Sequence, residues 1–473
     1  MRSSILLSAI LSVFLTACGG GGGGAATASS AAAIDFACEE TETVNNNALC
    51  IKKLLVDGAM SQIELKVSGF IDLNGDGFLD LINSTSYEGK SNIDRPLQFL
   101  RATAKVDEFL SYSPTIIGGA ASVWSLRKLF TGDFNGDGLI DFYPSDGSEY
   151  ATDPSGWPFI GTSQYYYINK GNGQFEKVDV GIGAATAHGI AIGSYATDGF
   201  TFSINTPWNP YPTTSKISII KVNSDGTPQA LQRIYPNQGS QFLVIPNIQN
   251  GEGDYFYMTS VDVNKDGKKD IVAFSQYGAD AGTEHNIFIN TSSGFSYSGS
   301  FANNLGARNS VEGATVADFN GDGYDDIAVT QIDRRTGSIT PEHSSLRIYI
   351  NNRNGNFEDK TTEWIGSALQ LNKGWSQANY NDAYEPISTD INGDGKPDLI
   401  FSHYFAQDGS ARHKVEILLN TGSAFTRMDF AKITDDGTTT SIGHMAAAFT
   451  RNGKTYFIFN RNFQLYIGKV TAQ

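Results

Sequence analysis

Short runs of Val, Ile, Tyr and Phe alternate with polar residues at period two over most of the chain, and Gly, Asn, Asp and Ser interrupt them every few positions. A pleated strand sends successive side chains to opposite faces, so this alternation predicts half-buried β-strands joined by tight turns. Apolar positions at helical spacing are scarce, and an all-β fold is expected.

A repeat organises these strands. Five near-copies of Asp-x-Asn-x-Asp-Gly-x-x-Asp begin at Asp72, Asp133, Asp262, Asp318 and Asp390, each followed by an apolar run such as IVAF or IAVT. Their starts are 61, 129, 56 and 72 residues apart, so a degenerate copy is expected inside the second gap. His188 to Gly199 fills it, with Ser194 in place of the first Asp, and a further copy from Gly443 to Gly453 has Ala448 there. Downstream in most units a strand runs into a polar hairpin: YYYINKGNGQF, HNIFINTSSGF, LRIYINNRNGNF and VEILLNTGSAF. Each unit then reads as a four-stranded antiparallel meander, and seven such units predict a seven-bladed β-propeller. After Thr455 to Phe459 and Phe463 to Ile467 the last unit is one strand short. The segment Ala48 to Val56 is expected to supply that strand and close the ring, removing an exposed sheet edge.

The first residues read as a targeting segment and are set apart from the fold. Arg2 precedes an apolar stretch from Ile5 to Leu15, followed by Leu15-Thr16-Ala17-Cys18. This resembles a bacterial lipoprotein signal, which implies cleavage before Cys18 and lipidation of its thiol; an ordinary secretory signal is the alternative. The expected division is a signal peptide over 1–17, a flexible Gly/Ala/Ser tether over 18–33 and the propeller over 34–473. Gly19 beside the lipidated Cys points to an outer-membrane or cell-surface destination. Cys38 and Cys50 remain as an even pair in an oxidising compartment, where a disulfide is expected and two free thiols are the alternative.

The formal charge of −16 excludes nucleic acid as a partner and an anionic membrane surface as an electrostatic one, since both need clustered Lys and Arg. The anticipated membrane association runs through the lipid at Cys18. Much of the acidity sits in the five loops. Alternate residues of a tight loop can face its centre, so each loop offers side chains at positions 1, 3, 5 and 9 and a carbonyl at position 7. The sets are Asp72, Asn74, Asp76, Phe78 and Asp80; Asp133, Asn135, Asp137, Leu139 and Asp141; Asp262, Asn264, Asp266, Lys268 and Asp270; Asp318, Asn320, Asp322, Tyr324 and Asp326; and Asp390, Asn392, Asp394, Lys396 and Asp398. Oxygen-only donors with no His or Cys select a hard ion, and a flexible loop favours Ca2+ over magnesium. An EF-hand would need Glu at position 12, where Asn83, Pro144, Ala273, Val329 and Phe401 stand instead. About five structural calcium ions are expected, and none at Ser194 or Ala448.

At this point the units, over roughly residues 58 to 470, resemble FG-GAP or VCBS repeats, the blades of integrin α-subunit heads and of many bacterial exported proteins. The resemblance implies that the acidic loops share one face and that the other face meets ligands. Long loops assigned to that face carry Tyr150 and Trp157, Trp208 and Tyr211, and Trp364, Trp375, Tyr380 and Tyr384. Exposed aromatics stack on sugar rings or anchor a protein partner; aromatics packed beneath their own loops are the alternative. Two functions remain open: a surface binding or adhesion module for a glycan or protein, and a polysaccharide-active, lyase-like enzyme. A lyase would need a cationic pocket with a Tyr or His base, for which Arg334, Arg335, Arg412 and His413 are the nearest residues. His188 and His444 precede the two degenerate loops and read as packed histidines. A structural scaffold is the third possibility.

Overall fold

The computed structural model describes residues 34–60, 68–84, 95–123, 126–146, 162–185, 190–196, 199–205, 217–234, 255–275, 284–302, 309–334, 341–366, 386–407, 410–428, 430, 433, 447–461 and 464–472. The fold is an all-β propeller of four-stranded antiparallel blades. Each blade is named here by its acidic loop or first residue. The Asp72 blade comprises Ser68–Ile71, Asp80–Ser84, Arg95–Ala102 and Glu108–Tyr112. The Asp133 blade comprises Leu126–Gly132, Asp141–Asp146, Thr162–Gly171 and Gln174–Ala185. Next come the Ile190 blade, with Ile190–Ala196, Gly199–Asn205, Ile217–Val222 and Pro228–Ile234, and the Asp262 blade, with Tyr255–Val261, Asp270–Ser275, Glu284–Thr291 and Gly294–Ala302. The Asp318 blade has Asn309–Ala317, Asp326–Arg334, Pro341–Asn351 and Phe357–Asp359. The Asp390 blade has Ile387–Thr389, Asp398–Gln407, Ser410–Asn420 and Phe425–Met428.

The expectation of seven like units needs correction, because six blades, not seven, are meanders of continuous chain. The remaining sheet is composite. Ala447–Arg451, Lys454–Arg461 and Gln464–Ala472 are joined by Asn47–Lys53 and then Glu40–Val44 from the other end of the chain. Asn47 to Lys53 pairs antiparallel with Ala472 to Tyr466. The joining strand is therefore shorter than the segment Ala48 to Val56 assigned from sequence: Leu55–Val56 leaves the sheet and pairs parallel with Glu108 and Phe109 of the Asp72 blade. In the composite sheet a tight turn stands where five other units have an acidic loop. Asn452 and Gly453, both at positive φ, turn Arg451 into Lys454.

The middle strands are apolar on both faces because each blade is covered by its neighbours, which is why IAVT after Asp326 is buried throughout rather than alternating. Apolar clusters lie between successive sheets. One joins the Asp262 and Asp318 blades through Val272, Phe274, Ile327 and Val329, the next joins the Asp318 and Asp390 blades through Ile348 and Leu418. Ile400 and Ile417 meet Phe457 and Phe459 of the composite sheet, whose Ile458 and Ile467 meet Leu81 and Leu100 of the Asp72 blade. The clusters thus lead from the last sheet back to the first. Ion pairs fasten the N-terminal segment there: Asp35 with Lys454 and Lys469 at 2.9 and 2.7 Å, and Glu40 with Arg461. Partial burial would raise the Asp35 carboxyl, but the two lysines outweigh it and bring it down to about 2. Cys38 and Cys50 are joined by a disulfide within this segment.

Candidate metal loops

All five acidic loops fall within the described residues and repeat one geometry. In these five blades the turn between the first two strands has two residues at positive φ, at positions 4 and 6. Gly occupies position 6 throughout, at φ 83° to 88°, and position 4 in four loops; in the third, Lys265 takes φ 60°. Backbone of that handedness strains a residue with a Cβ, which accounts for the recurring Gly-Asp-Gly.

The position 1 carboxylate folds back on the loop. In the first loop Asp72 accepts hydrogen bonds from the amides of Gly75, Asp76 and Gly77 at 2.8, 3.1 and 2.8 Å. Asp133 and Asp390 do the same, and Asp262 and Asp318 accept from positions 5 and 6. Asn at position 3 accepts from the position 5 amide, and Asp at position 5 accepts from the position 7 amide, as in Phe78 to Asp76 at 2.9 Å. At position 7 the chain contributes backbone, so Phe78, Leu139, Lys268, Tyr324 and Lys396 differ freely.

Position 9 does something the motif does not announce. Asp80, Asp141, Asp270, Asp326 and Asp398 are wholly buried. One carboxylate oxygen accepts the position 2 amide: Leu73, Phe134, Val263, Phe319 or Ile391, at 2.7 to 2.9 Å. The other accepts an amide from the third strand: Ala102, Asn169, Asn290, Asn351 or Asn420, at 2.7 to 2.8 Å. This aspartate clamps the loop to a strand two positions across the blade. Burial pushes these carboxyls up to between about 6 for Asp270 and about 8 for Asp141, and the other loop aspartates add to the rise in four of the five; in the Asp326 loop Asp322 does so.

As a cation site the donors fit in chemistry, being hard oxygens only, and fit incompletely in position. Among the described residues no three carboxylate, His or Cys groups gather about one point. The position 1 and 5 carboxylates accept two or three hydrogen bonds each and position 9 accepts two, so all of them keep lone pairs; position 9 differs in being wholly buried, with one backbone amide on each oxygen. In three loops a basic side chain already approaches position 5: Arg353 on Asp322 at 2.9 Å, Lys396 on Asp394 at 3.2 Å and Lys268 on Asp266 at 3.9 Å.

Of the aromatic candidates, Trp364 is the one within the described residues. It sits in a short helix, Thr361–Ile365, is 6 % exposed, and packs its ring 5.4 Å from that of Phe425. It is a core residue, which corrects its assignment as a ligand contact; an aromatic next to a glutamate in an apparently polar stretch gave no hint of the helix that turns it inward. Tyr150, Trp157, Trp208, Tyr211, Trp375, Tyr380 and Tyr384 lie outside the described residues, as do Cys18, His188, His444 and Arg335. Arg334 ends one strand of the Asp318 blade, and Arg412 and His413 lie on the third strand of the Asp390 blade. Among the described residues no helix is long and apolar enough to cross a membrane.

Sequence reasoning missed the third-strand asparagine. The signal was present, since Asn169, Asn290, Asn351 and Asn420 each stand at the end of a strand in the hairpin strings. Its side-chain amide reaches back to loop carbonyls, for example Asn351 to Val263 at 2.9 Å.

Comparison with known proteins agrees with the repeat. The chain is 24% identical over 228 residues to the phosphatidylinositol-glycan-specific phospholipase D of Bos taurus, 27% over 200 residues to that of Mus musculus and 23% over 265 residues to that of Homo sapiens. These matches cover 42%, 38% and 49% of this chain and 24%, 21% and 28% of the relatives, so the chain spans about a quarter of their length. Among solved structures it resembles a Lactobacillus plantarum protein (11% identity, 81% of this chain and 88% of that one, TM-score 0.40). It also resembles the Dos1 propeller (7% identity, 89% and 95%, TM-score 0.42); at these scores neither likeness carries an argument. Residues 262–329, which contain the Asp262 and Asp318 loops, match the sequence profile of the FG-GAP-like repeat. With that repeat lying in a sheet arrangement copied around the molecule, the chain is an FG-GAP β-propeller.

Proposed function

We propose that the protein is an exported, lipid-anchored propeller whose acidic loops each hold a calcium ion and which serves as a binding module for a glycan or protein partner. The composite sheet is read as the seventh blade, closing the ring that the six meanders begin. The observation that carries the cation reading is the fivefold recurrence of one oxygen-lined loop in which a buried position 9 carboxylate is held well above the usual carboxylate range. A nearby divalent ion would relieve that cost and add its binding energy to folding. The binding-module reading rests on the Trp and Tyr residues that the sequence gathers at 150–157, 208–211 and 375–384, between the strands of the blades. The lipid anchor rests on the segment ending at Cys18.

The phospholipase activity in the relatives' name belongs to proteins about four times longer than the stretch matched, and it is not carried over. A polysaccharide-active enzyme is the competing outcome, and one screen separates the two. Immobilised glycans and soluble polysaccharides are presented to the protein with and without calcium, with a Trp157→Ala, Trp375→Ala double variant as control. Saturable binding without product, lost in the variant, is expected. Unsaturated oligosaccharide products would replace the binding reading by a lyase, and no response in either assay would remove the glycan partner.

A further inference from the structure

The third-strand asparagines differ in where their amides reach. Asn169 donates to Ile140 O of its own loop at 3.0 Å, and at the equivalent position of the Asp72 blade Ala102 has no side-chain amide, only the backbone N–H that Asp80 accepts. Asn351 behaves differently. Its amide is shared between Asp325 O in its own loop and Val263 O, position 2 of the preceding loop, at 3.3 and 2.9 Å. Asn420 repeats this one blade on, donating to Pro397 O in its own loop and to Phe319 O in the preceding one, at 3.1 and 2.9 Å. The position 2 residue is therefore held at both ends: its amide by the aspartate of its own blade, as Val263 by Asp270, and its carbonyl by the asparagine of the next.

A second set of contacts joins the same two loops. Asp325, the extra acid at position 8, accepts the Asp262 amide at 3.0 Å and pairs with Lys269 at 2.9 Å. The Lys265 ammonium lies 4.8 Å from the centre of the Tyr324 ring. These are buried or half-buried bonds, and a carbonyl or amide stripped of its partner in such surroundings keeps the whole cost of its lost hydration.

We propose that the Asp262, Asp318 and Asp390 loops order and open as one unit, coupled from blade to blade through the Asn351 and Asn420 amides, while the Asp72 and Asp133 loops open separately. Asn351 and Asn420 are positioning residues in this device. The coupling holds with or without a cation, so it goes beyond the calcium reading and does not rest on it.

Hydrogen exchange read by mass spectrometry on the full-length protein, in metal-free buffer, tests it. Asn351→Ala should speed exchange in the Asp262 loop as well as its own by about five- to tenfold, the worth of one lost buried hydrogen bond. Asn169→Ala should speed the Asp133 loop and leave the Asp72 loop unchanged. Acceleration confined to residues 318–326 in the Asn351 variant would overturn the proposal. Should that variant fail to fold, the wild-type protein in graded urea gives the same answer: the three loops are expected to converge on one opening free energy, and three separate values would contradict it. Repeating the exchange with calcium chloride reports on the cation reading alone.

Discussion

Replacing Asp326 by Asn removes one acceptor while preserving shape, and its cost can be worked from two bonds. The carboxylate accepts the Phe319 amide on one oxygen at 2.9 Å and the Asn351 amide on the other at 2.8 Å, with no exposure to water. An asparagine accepts with its oxygen and presents its own N–H groups to the second amide, so one buried backbone N–H loses its partner. Such an orphaned donor costs about 1–3 kcal/mol. The assay is urea unfolding followed by tryptophan fluorescence at pH 8, above the value of about 7 at which burial sets the Asp326 carboxyl, so that the wild type is compared in its ionised form. Exchange of residues 318–326 is measured beside it. The variant should be less stable by that amount, with the loss concentrated in this loop and its third strand. A variant as stable as wild type, with unchanged loop exchange, would refute the clamp.

Two further predictions concern the body of the propeller. His285 is wholly buried among Phe274, Phe301 and Tyr349, with neither ring nitrogen bonded, and burial lowers it to about 3 despite a weak opposing pull from Asp359. Because its folded value lies below the ordinary 6.5, the unfolded chain takes up the proton first, so its contribution to stability is present above about 6.5 and lost as pH falls toward 3. His285→Phe should flatten unfolding free energy between pH 6.5 and 4 relative to wild type; parallel curves would contradict this. Cys38→Ser with Cys50→Ser should cost about 2–4 kcal/mol by freeing the unfolded chain, read as a lowered urea midpoint, with no change expected in the Asp318 loop.

Much of the fold was legible because it is written five times. The spacing of Asp72, Asp133, Asp262, Asp318 and Asp390 gave the blade period, and the doubled gap located Ile190–Ala196 and its hairpin. The composite sheet was legible from the missing strand, but its boundary was not: Leu55 and Val56 are as apolar as Ile51, and only their competition between two sheets sends them to the Asp72 blade. Within the loops, turn chemistry was readable from Gly77 and its counterparts. The role of Asp80 was not, because a carboxylate that ligates a cation and one that holds two amides look alike in a sequence. What separates them is burial, and burial depends on the third strand 22 residues away. Trp364 failed for the same reason, its environment being set by Phe425 from the outer strand of the next blade.

Calcium stoichiometry tests the central claim most directly. Equilibrium dialysis of the chelator-treated protein should return about five ions per chain, falling by one when Asp322 is changed to Ala and unchanged when Ser194 is changed to Ala. Stoichiometry near zero, or the same value in wild type and Asp322→Ala, would mean that the acidic loops are held by their own amides and aspartates and carry no ion.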